Sequence, residues 1–149
     1  MIRLAAAEDA STVAALLDAF NREFDTDTPG PEVLAVRLGR LLGSPTTYAV
    51  LAGDPAVGVA LVTVRTNVWT DGRVALLDEL YVEPAHRNRG LGGAMLTLAE
   101  QGALERGCAW LEINVDGEDV DARRFYERHG YRDRDPGQPE PQVYYSREL

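Results

Sequence analysis

The junction that decides the fold reads Val82-Glu83-Pro84-Ala85-His86-Arg87-Asn88-Arg89-Gly90-Leu91-Gly92-Gly93. Residues 74–82, which lead into it, are rich in Val, Leu and Tyr, and this is typical of a buried strand. Residues 91–106, which follow it, repeat apolar side chains at helical spacing and end at Gly107, a common helix terminus. The chain is therefore predicted to pass from a strand through a glycine-rich turn into a helix.

A turn of this kind presents unpaired N–H groups and the positive end of a helix dipole, and together these make an anion site. Gly90 and Gly92 lack Cβ atoms, so a bulky phosphate can approach the main chain closely. Arg87 and Arg89 would add charge-assisted contacts. We expect a phosphate group to bind here. The alternative is an ordinary loop in which the glycines serve the turn and the arginines serve solubility.

Length and composition indicate one soluble globular domain over residues 1–149, because 45% of the chain is hydrophobic and can form a core. No apolar run approaches the roughly 20 residues of a membrane span, and the N-terminus does not resemble a secretory signal. We therefore expect a cytoplasmic protein with no membrane partner. Cys108 is the single cysteine, so it has no partner for a disulfide or a zinc site and is expected in the core.

The charge balance bears on the partners, since 15 basic and 24 acidic residues give a net charge of -9. This balance repels the phosphate backbone of nucleic acids and attracts cationic amines. We expect no nucleic-acid partner. His86 and His129 have no second ligand at metal spacing, so no metal is expected.

The order of the predicted elements is typical of an α+β fold. Period-two patterning and turn signals predict seven strands: Ile2–Ala6, Thr46–Ala52, Ala56–Thr66, Arg73–Val82, Cys108–Val115, Tyr131–Arg134 and Gln142–Glu148. Helical periodicity predicts four helices: one from Asp9, one around Leu34–Leu42, Leu91–Arg106 and Asp119–His129. The expected architecture is a six- to seven-stranded sheet with four helices packed on its faces.

The glycine-rich turn lacks Gly-Lys-Ser/Thr, which excludes a nucleoside-triphosphate loop, and no Gly-x-Gly-x-x-Gly follows the first strand as in dinucleotide folds. Instead, Arg87-x-x-Gly90-x-Gly92 resembles the Arg/Gln-x-x-Gly-x-Gly/Ala motif of the GNAT superfamily of acetyl-CoA-dependent N-acetyltransferases. Further stretches resemble GNAT signatures in GNAT order: Ile2–Leu4 with Glu8–Ala10, Leu80–Val82 with Pro84, and Asp119-x-x-Ala122-x-x-Phe125-Tyr126-x-x-x-Gly130-Tyr131. The resemblance covers almost the whole chain.

The resemblance implies a mixed, mostly antiparallel sheet whose fourth and fifth strands splay apart, with acetyl-CoA as cosubstrate in the gap. It implies that the pyrophosphate is held by the loop residues Arg87, Asn88, Arg89, Gly90, Leu91, Gly92 and Gly93. The main chain of Leu80, Tyr81 and Val82 would pair with the pantetheine arm and stabilise the oxyanion. The odd spacing of Leu77 from Leu80 and Val82 favours a β-bulge, and a regular strand buried on both faces is the alternative.

Tyr126 is the expected catalytic acid. By resemblance, the matching tyrosine lies close to the CoA sulfur and protonates the departing thiolate. A phenol, with a pKa of ~10, carries its proton at neutral pH. The alternative is a plain core tyrosine beside Phe125.

The acceptor amine must lose a proton before it attacks, because an alkylammonium group has a pKa of ~10 and no free lone pair. The candidate bases are Asp78 and Glu79 on the fourth strand and Glu112 on the fifth, acting directly or through water. Neighbours on a strand point to opposite faces, so only one of Asp78 and Glu79 is expected to face the cleft. We favour Glu79.

Asp119 departs from the family pattern, which usually has Asn at this point to bind the CoA arm. An aspartate can accept but not donate, so this contact is either lost or replaced by a helix-cap role. Asn114 is an alternative contact to the pantetheine or the acceptor. Trp110 is expected in the core.

The predicted function is transfer of an acetyl group from acetyl-CoA to a primary amine of a cationic small molecule or peptide, by direct attack in a ternary complex. The alternative is a catalytically inactive GNAT-like module that binds or senses acyl-CoA. A homodimer is implied by analogy only.

Overall fold

The computed structural model describes residues 1–149, which form two compact units, residues 1–113 and 114–149. The strands of the first unit are β1 Ile2–Leu4, β2 Thr47–Gly53, β3 Ala56–Thr66, β4 Arg73–Val82 and β5 Cys108–Ile113. Its helices are α1 Ala10–Glu23, α2 Pro31–Leu41 and α3 Leu91–Glu105. The second unit contains α4 Val120–Arg128. The single domain over residues 1–149 stays a prediction.

The five strands lie in chain order in one sheet, with β1 to β4 antiparallel and β5 parallel to β4. The predicted α+β fold, with a mixed, mostly antiparallel sheet and four helices, is confirmed. None of the helices has the length and apolar character needed to cross a membrane.

The predicted strands Tyr131–Arg134 and Gln142–Glu148 do not form, so the expectation of six to seven strands is wrong. The N–H of Tyr131 donates to the carbonyl of Tyr126 at 3.0 Å, and this bond ends α4 instead of starting a ladder. Three prolines between residues 136 and 141 lack the N–H that a ladder needs. Residues 142–149 are exposed, so no burial rewards their strand propensity.

Each face of the sheet is covered by different helices. The front face, defined as the one under α1 and α2, contributes Ala49, Leu51, Val59 and Tyr81 to a buried cluster with both helices. The back face lies under α3, where the Tyr48 hydroxyl donates to the Ala99 carbonyl at 2.6 Å. The cluster under α1 and α2 contains no residue of β5.

A β-bulge interrupts the pairing of β3 with β4, as predicted. Leu61 lies opposite Glu79 and Val62 lies opposite Leu77, so Asp78 is the extra residue. The insertion resets the alternation of side chains along β4. Leu77 pairs on the back face, whereas Glu79 pairs on the front face.

Candidate active site

The second half of β4 has a free edge. The parallel ladder with β5 ends at Leu77 and Ile113, so residues 78–82 pair with β3 alone. We call this stretch of β4 the open edge. An edge of this kind leaves backbone groups available to a ligand.

The direction of each N–H along the open edge follows from one hydrogen bond. The N–H of Glu83 donates to the carbonyl of Val57 at 2.9 Å, so Glu83 faces β3. In an antiparallel strand, the N–H groups of every second residue point to the partner strand. The N–H of Tyr81 therefore also points to β3, while the N–H groups of Leu80 and Val82 point away from it. Of the three predicted backbone donors, Leu80 and Val82 are therefore aimed away from the sheet.

The glycine loop, residues 87–93, leaves the N-terminus of α3 without a cap. Gly90 has φ +78°, and an exposed position with this backbone favours glycine. The first helical bond runs from Ala94 N–H to Gly90 C=O at 3.0 Å, and no side chain caps the helix. The N–H groups of residues 91–93 thus have no acceptor within the helix, and the first turn holds no acidic residue. These features fit a phosphate ligand.

The two arginines of the glycine loop differ in their contacts. Arg87 donates to both carboxylate oxygens of Glu23 at 2.6 and 2.9 Å and to the Val82 carbonyl at 2.8 Å. Arg89 is exposed and forms neither a hydrogen bond nor an ion pair. Arg87 therefore fastens the loop to β4 and α1, and Arg89 is the cation left for a ligand. Glu23 was not predicted, because its pairing with Arg87 is a contact between distant segments.

The bulge places Asp78 and Glu79 on the front face together, so the expectation that only one of them faces the cleft is wrong. We call these two side chains the carboxylate pair. The Thr63 hydroxyl donates to Oδ2 of Asp78, and Thr63 pairs with Leu76 on the same face. Glu79 forms no hydrogen bond with the protein through its carboxyl group, and it stays partly exposed.

Both members of the carboxylate pair bind protons more tightly than a free side chain. Asp78 is exposed, but the protein atoms around its carboxyl group remove part of its solvation and raise its pKa, while the hydrogen bond from Thr63 lowers it. Burial raises the pKa of Glu79, and the nearby charge of Asp78 raises it further. A carboxylate without a donor and with a raised pKa is suited to accept a proton.

The carboxylate of Glu112, the third candidate base, is engaged in hydrogen bonds within the protein. Its two oxygens accept from the Arg65 guanidinium at 3.0 and 3.1 Å, and Oε1 also accepts from the Trp110 ring N–H at 3.1 Å. Trp110 is exposed on the front face, so its expected place in the core is wrong: the buried cluster under α1 and α2 contains no residue of β5. No group of three or more His, Cys, Asp or Glu side chains is placed to hold a metal ion.

The second unit holds the remaining predicted site residues. The Asp119 carboxylate accepts the Ala122 N–H at 2.9 Å and caps α4, which is one of its two expected roles. Tyr126 lies in the last turns of α4, half-buried, with ring centroids 5.1 Å from Phe125 and 5.9 Å from Tyr131. Asn114 is exposed just after the end of β5.

Sequence reasoning missed Thr63 and Arg65. The alternation Val62-Thr63-Val64-Arg65 could have placed both polar side chains on one face of β3. Which groups of β4 and β5 they meet depends on the register and on the bulge, and the alternation does not contain this information.

The chain is similar to a family of known proteins and to several individual relatives. Residues 12–131 match the model of the acetyltransferase (GNAT) family. The thialysine N-epsilon-acetyltransferase of Sus scrofa is 31% identical over 81 residues, which cover 54% of this chain and 47% of that protein. This chain thus spans about half the length of that relative. The uncharacterised N-acetyltransferase YhfO of Bacillus subtilis is 27% identical over 137 residues, 89% of each protein.

Two solved structures extend the comparison. An acetyltransferase candidate from Arthrobacter sp. FB24 is 50% identical, with a TM-score of 0.94 over 100% of this chain and 96% of that one. The aminoglycoside acetyltransferase meta-AAC0020 from an uncultured soil metagenomic sample, in complex with sisomicin, is 21% identical, with a TM-score of 0.81 over 100% and 95%. At this identity the second likeness concerns the fold alone.

Proposed function

The chain belongs to the GNAT family of acetyltransferases, and we propose that it transfers the acetyl group of acetyl-CoA to a primary amine by direct attack in a ternary complex. The observation that carries this proposal is the succession of the open edge and the uncapped N-terminus of α3, with only residues 83–90 between them. The open edge offers outward N–H groups to the pantetheine arm, which carries amide groups, and the N-terminus of α3 offers N–H groups to the phosphates.

Different groups of the protein bind different parts of acetyl-CoA. Residues 91–93 donate their N–H groups to the pyrophosphate, and Arg89 adds a charge-assisted contact. Leu80 and Val82 pair with the pantetheine arm, and their N–H groups stabilise the negative charge that develops on the carbonyl oxygen during attack. Bound acetyl-CoA supplies the acetyl group in activated form, as a thioester.

Three proton transfers complete the proposal. Glu79 takes the proton of the acceptor ammonium group, directly or through water, which frees the nitrogen lone pair. Tyr126 gives its proton to the departing sulfur, in the role that the family resemblance assigns to it, and the phenolate is restored to the phenol by the second proton that the nitrogen loses as the amide forms. Because the pKa of Glu79 is raised, the rate is expected to fall as the pH drops through that value and this group becomes protonated.

We propose a cationic amine as the acceptor. The front face exposes the carboxylate pair, and the net charge of -9 attracts cations to the protein. The pig relative is named for thialysine, and the metagenomic structure holds the aminoglycoside sisomicin. These names guide the choice of test amines and do not identify the acceptor.

The test measures CoA thiol released from acetyl-CoA by a thiol reagent, with thialysine, sisomicin, a polyamine and a peptide N-terminus as acceptors. The only cysteine, Cys108, is buried, so the protein itself contributes little signal. We expect release that depends on one class of amine. Binding of acetyl-CoA without release by any amine would favour the acyl-CoA-binding module instead.

Variants assign the roles. We expect Glu79→Gln to lower kcat by about 100-fold, and Glu112→Gln, the control on β5, to lower it far less. Tyr126→Phe is expected to lower kcat by a similar factor with little change in CoA affinity. The reverse ranking of the two glutamates, or full activity of Tyr126→Phe, would remove that residue from its proposed role.

A further inference from the structure

The carboxylate pair poses a question that the family resemblance does not answer: two neighbouring carboxyl groups face the same side, yet only one of them is needed to take the proton that the acceptor ammonium group loses before it attacks. Their surroundings differ in one respect. Asp78 accepts a hydrogen bond from the Thr63 hydroxyl, whereas Glu79 accepts none from the protein. Two groups that repel each other and differ in one donor are expected to divide their tasks.

We propose that Thr63 is a positioning residue that keeps Asp78 as the fixed anion holding the acceptor ammonium group and thereby leaves Glu79 as the proton acceptor. This inference rests on the proposed function. The Thr63 hydroxyl hydrogen occupies one lone pair of Oδ2, and the other carboxylate lone pairs of Asp78 remain for the ammonium group. One N–H bond of the ammonium breaks, its proton forms an O–H bond on Glu79, and the electron pair stays on nitrogen.

Charged groups on the neighbouring strands and on α1 form ion pairs. Arg65 on β3 and Glu112 on β5 pair with each other. On α1, Asp18 pairs with Arg22 and Glu23 pairs with Arg87, and β2 contributes the uncharged Thr47 to this face.

The bulge explains why the donor comes from Thr63. Thr63 lies opposite Leu76, two positions before Asp78 along β4. In a regular strand, residues 76 and 78 would share a face and Glu79 would face away. The extra residue keeps Asp78 within reach of Thr63 and turns Glu79 to the same side, so one threonine can act on one member of a pair.

The first test needs no acceptor. Carboxyl carbons of Asp78 and Glu79 are titrated by NMR in the wild type, Thr63→Val, Thr63→Ser and the control Thr66→Val, an exposed threonine at the end of the same strand. We expect Asp78 to titrate below Glu79 in the wild type. In Thr63→Val the midpoint of Asp78 should rise by about one pH unit, because a hydrogen bond to a charged group is lost. Thr63→Ser and Thr66→Val should titrate like the wild type.

The second test uses turnover with an amine found active above. We expect Thr63→Val to raise the KM for the amine and to shift the acidic limb of the kcat/KM profile, while Thr63→Ser restores both. An unchanged Asp78 midpoint in Thr63→Val, or Glu79 titrating first in the wild type, would overturn the inference. If the wild type acetylates the amine and the kcat/KM profile of Thr63→Val is the same as that of the wild type, the inference about Thr63 is overturned and the proposed function stands. A wild type with no transferase activity would defeat the proposed function. The NMR titration would still show whether the hydrogen bond from Thr63 lowers the midpoint of Asp78.

Discussion

The N-termini of α3 and α4 are built in opposite ways. α3 begins after Gly90 with no side-chain cap and no acidic residue in its first turn. α4 begins after Asp119, whose carboxylate accepts a backbone N–H, and Asp121 adds a second negative charge. A helix N-terminus carries roughly half a positive charge, so α4 neutralises its own terminus while α3 leaves this to an external anion. The helix without a cap is the one we expect to bind a ligand.

The largest effect is expected when the N-terminus of α3 is given a carboxylate like those at the N-terminus of α4. Gly92→Asp should weaken CoA binding by about tenfold or more, because a carboxylate among the free N–H groups repels the phosphates. Calorimetry measures the affinity. Gly92→Asn is the control of equal size without the charge, and its loss should be clearly smaller. Unchanged affinity in Gly92→Asp would remove the glycine loop from the proposed site.

A second test separates the free arginine from general charge. Arg89→Ala should weaken CoA binding by about fivefold at low salt and by less at high salt, because an exposed charge contact is screened. Arg124→Ala removes an exposed arginine of α4 and serves as the control, with no expected change. Equal effects of the two variants would show that net charge, rather than the position of Arg89, governs the affinity.

A third test addresses the capped helix. Asp119→Ala should lower the free energy of unfolding by about 1 kcal/mol, since the cap on the Ala122 N–H is lost. Denaturant melts measure this change, and Asp119→Asn should retain most of the stability. CoA affinity should not change. A loss of CoA affinity without a loss of stability would instead make Asp119 part of the cofactor site.

The smallest expected effect concerns the partner of Arg87. Glu23→Gln removes the charge that neutralises Arg87, so the positive potential beside the glycine loop rises and CoA should bind about twofold more tightly at low salt. Calorimetry at two salt concentrations measures the difference. Weaker binding would show that the ion pair matters more for holding the loop in shape than for its charge.

The sequence predicted the parts of the fold that depend on local pattern. β3 and β4 have the predicted bounds, and the bulge followed from the odd spacing around Leu77. The last two strands failed because strand propensity in residues 142–148 does not say whether a partner edge exists. Burial on the sheet decides that, and burial depends on the whole fold.

The candidate site divides in the same way. The glycine loop was predicted as an anion site from a short motif, and the uncapped start of α3 agrees with it. The engagement of Arg87 with Glu23 was not predictable, because the two residues are 64 positions apart. The shared face of Asp78 and Glu79 was missed although the bulge was expected, because the prediction applied regular alternation across the irregular point.

The bulge at Asp78 also bears on how the chain can change length. Shortening β4 by this one residue would join Leu77 to Glu79 in regular alternation, with Leu77 still opposite Val62 and Glu79 still opposite Leu61. Tyr81 would therefore keep its place beside the ring of Phe20, 5.1 Å away between centroids. Losing the residue removes a carboxylate and preserves the phase of the core, so related sequences should be able to lack this residue as well as replace it.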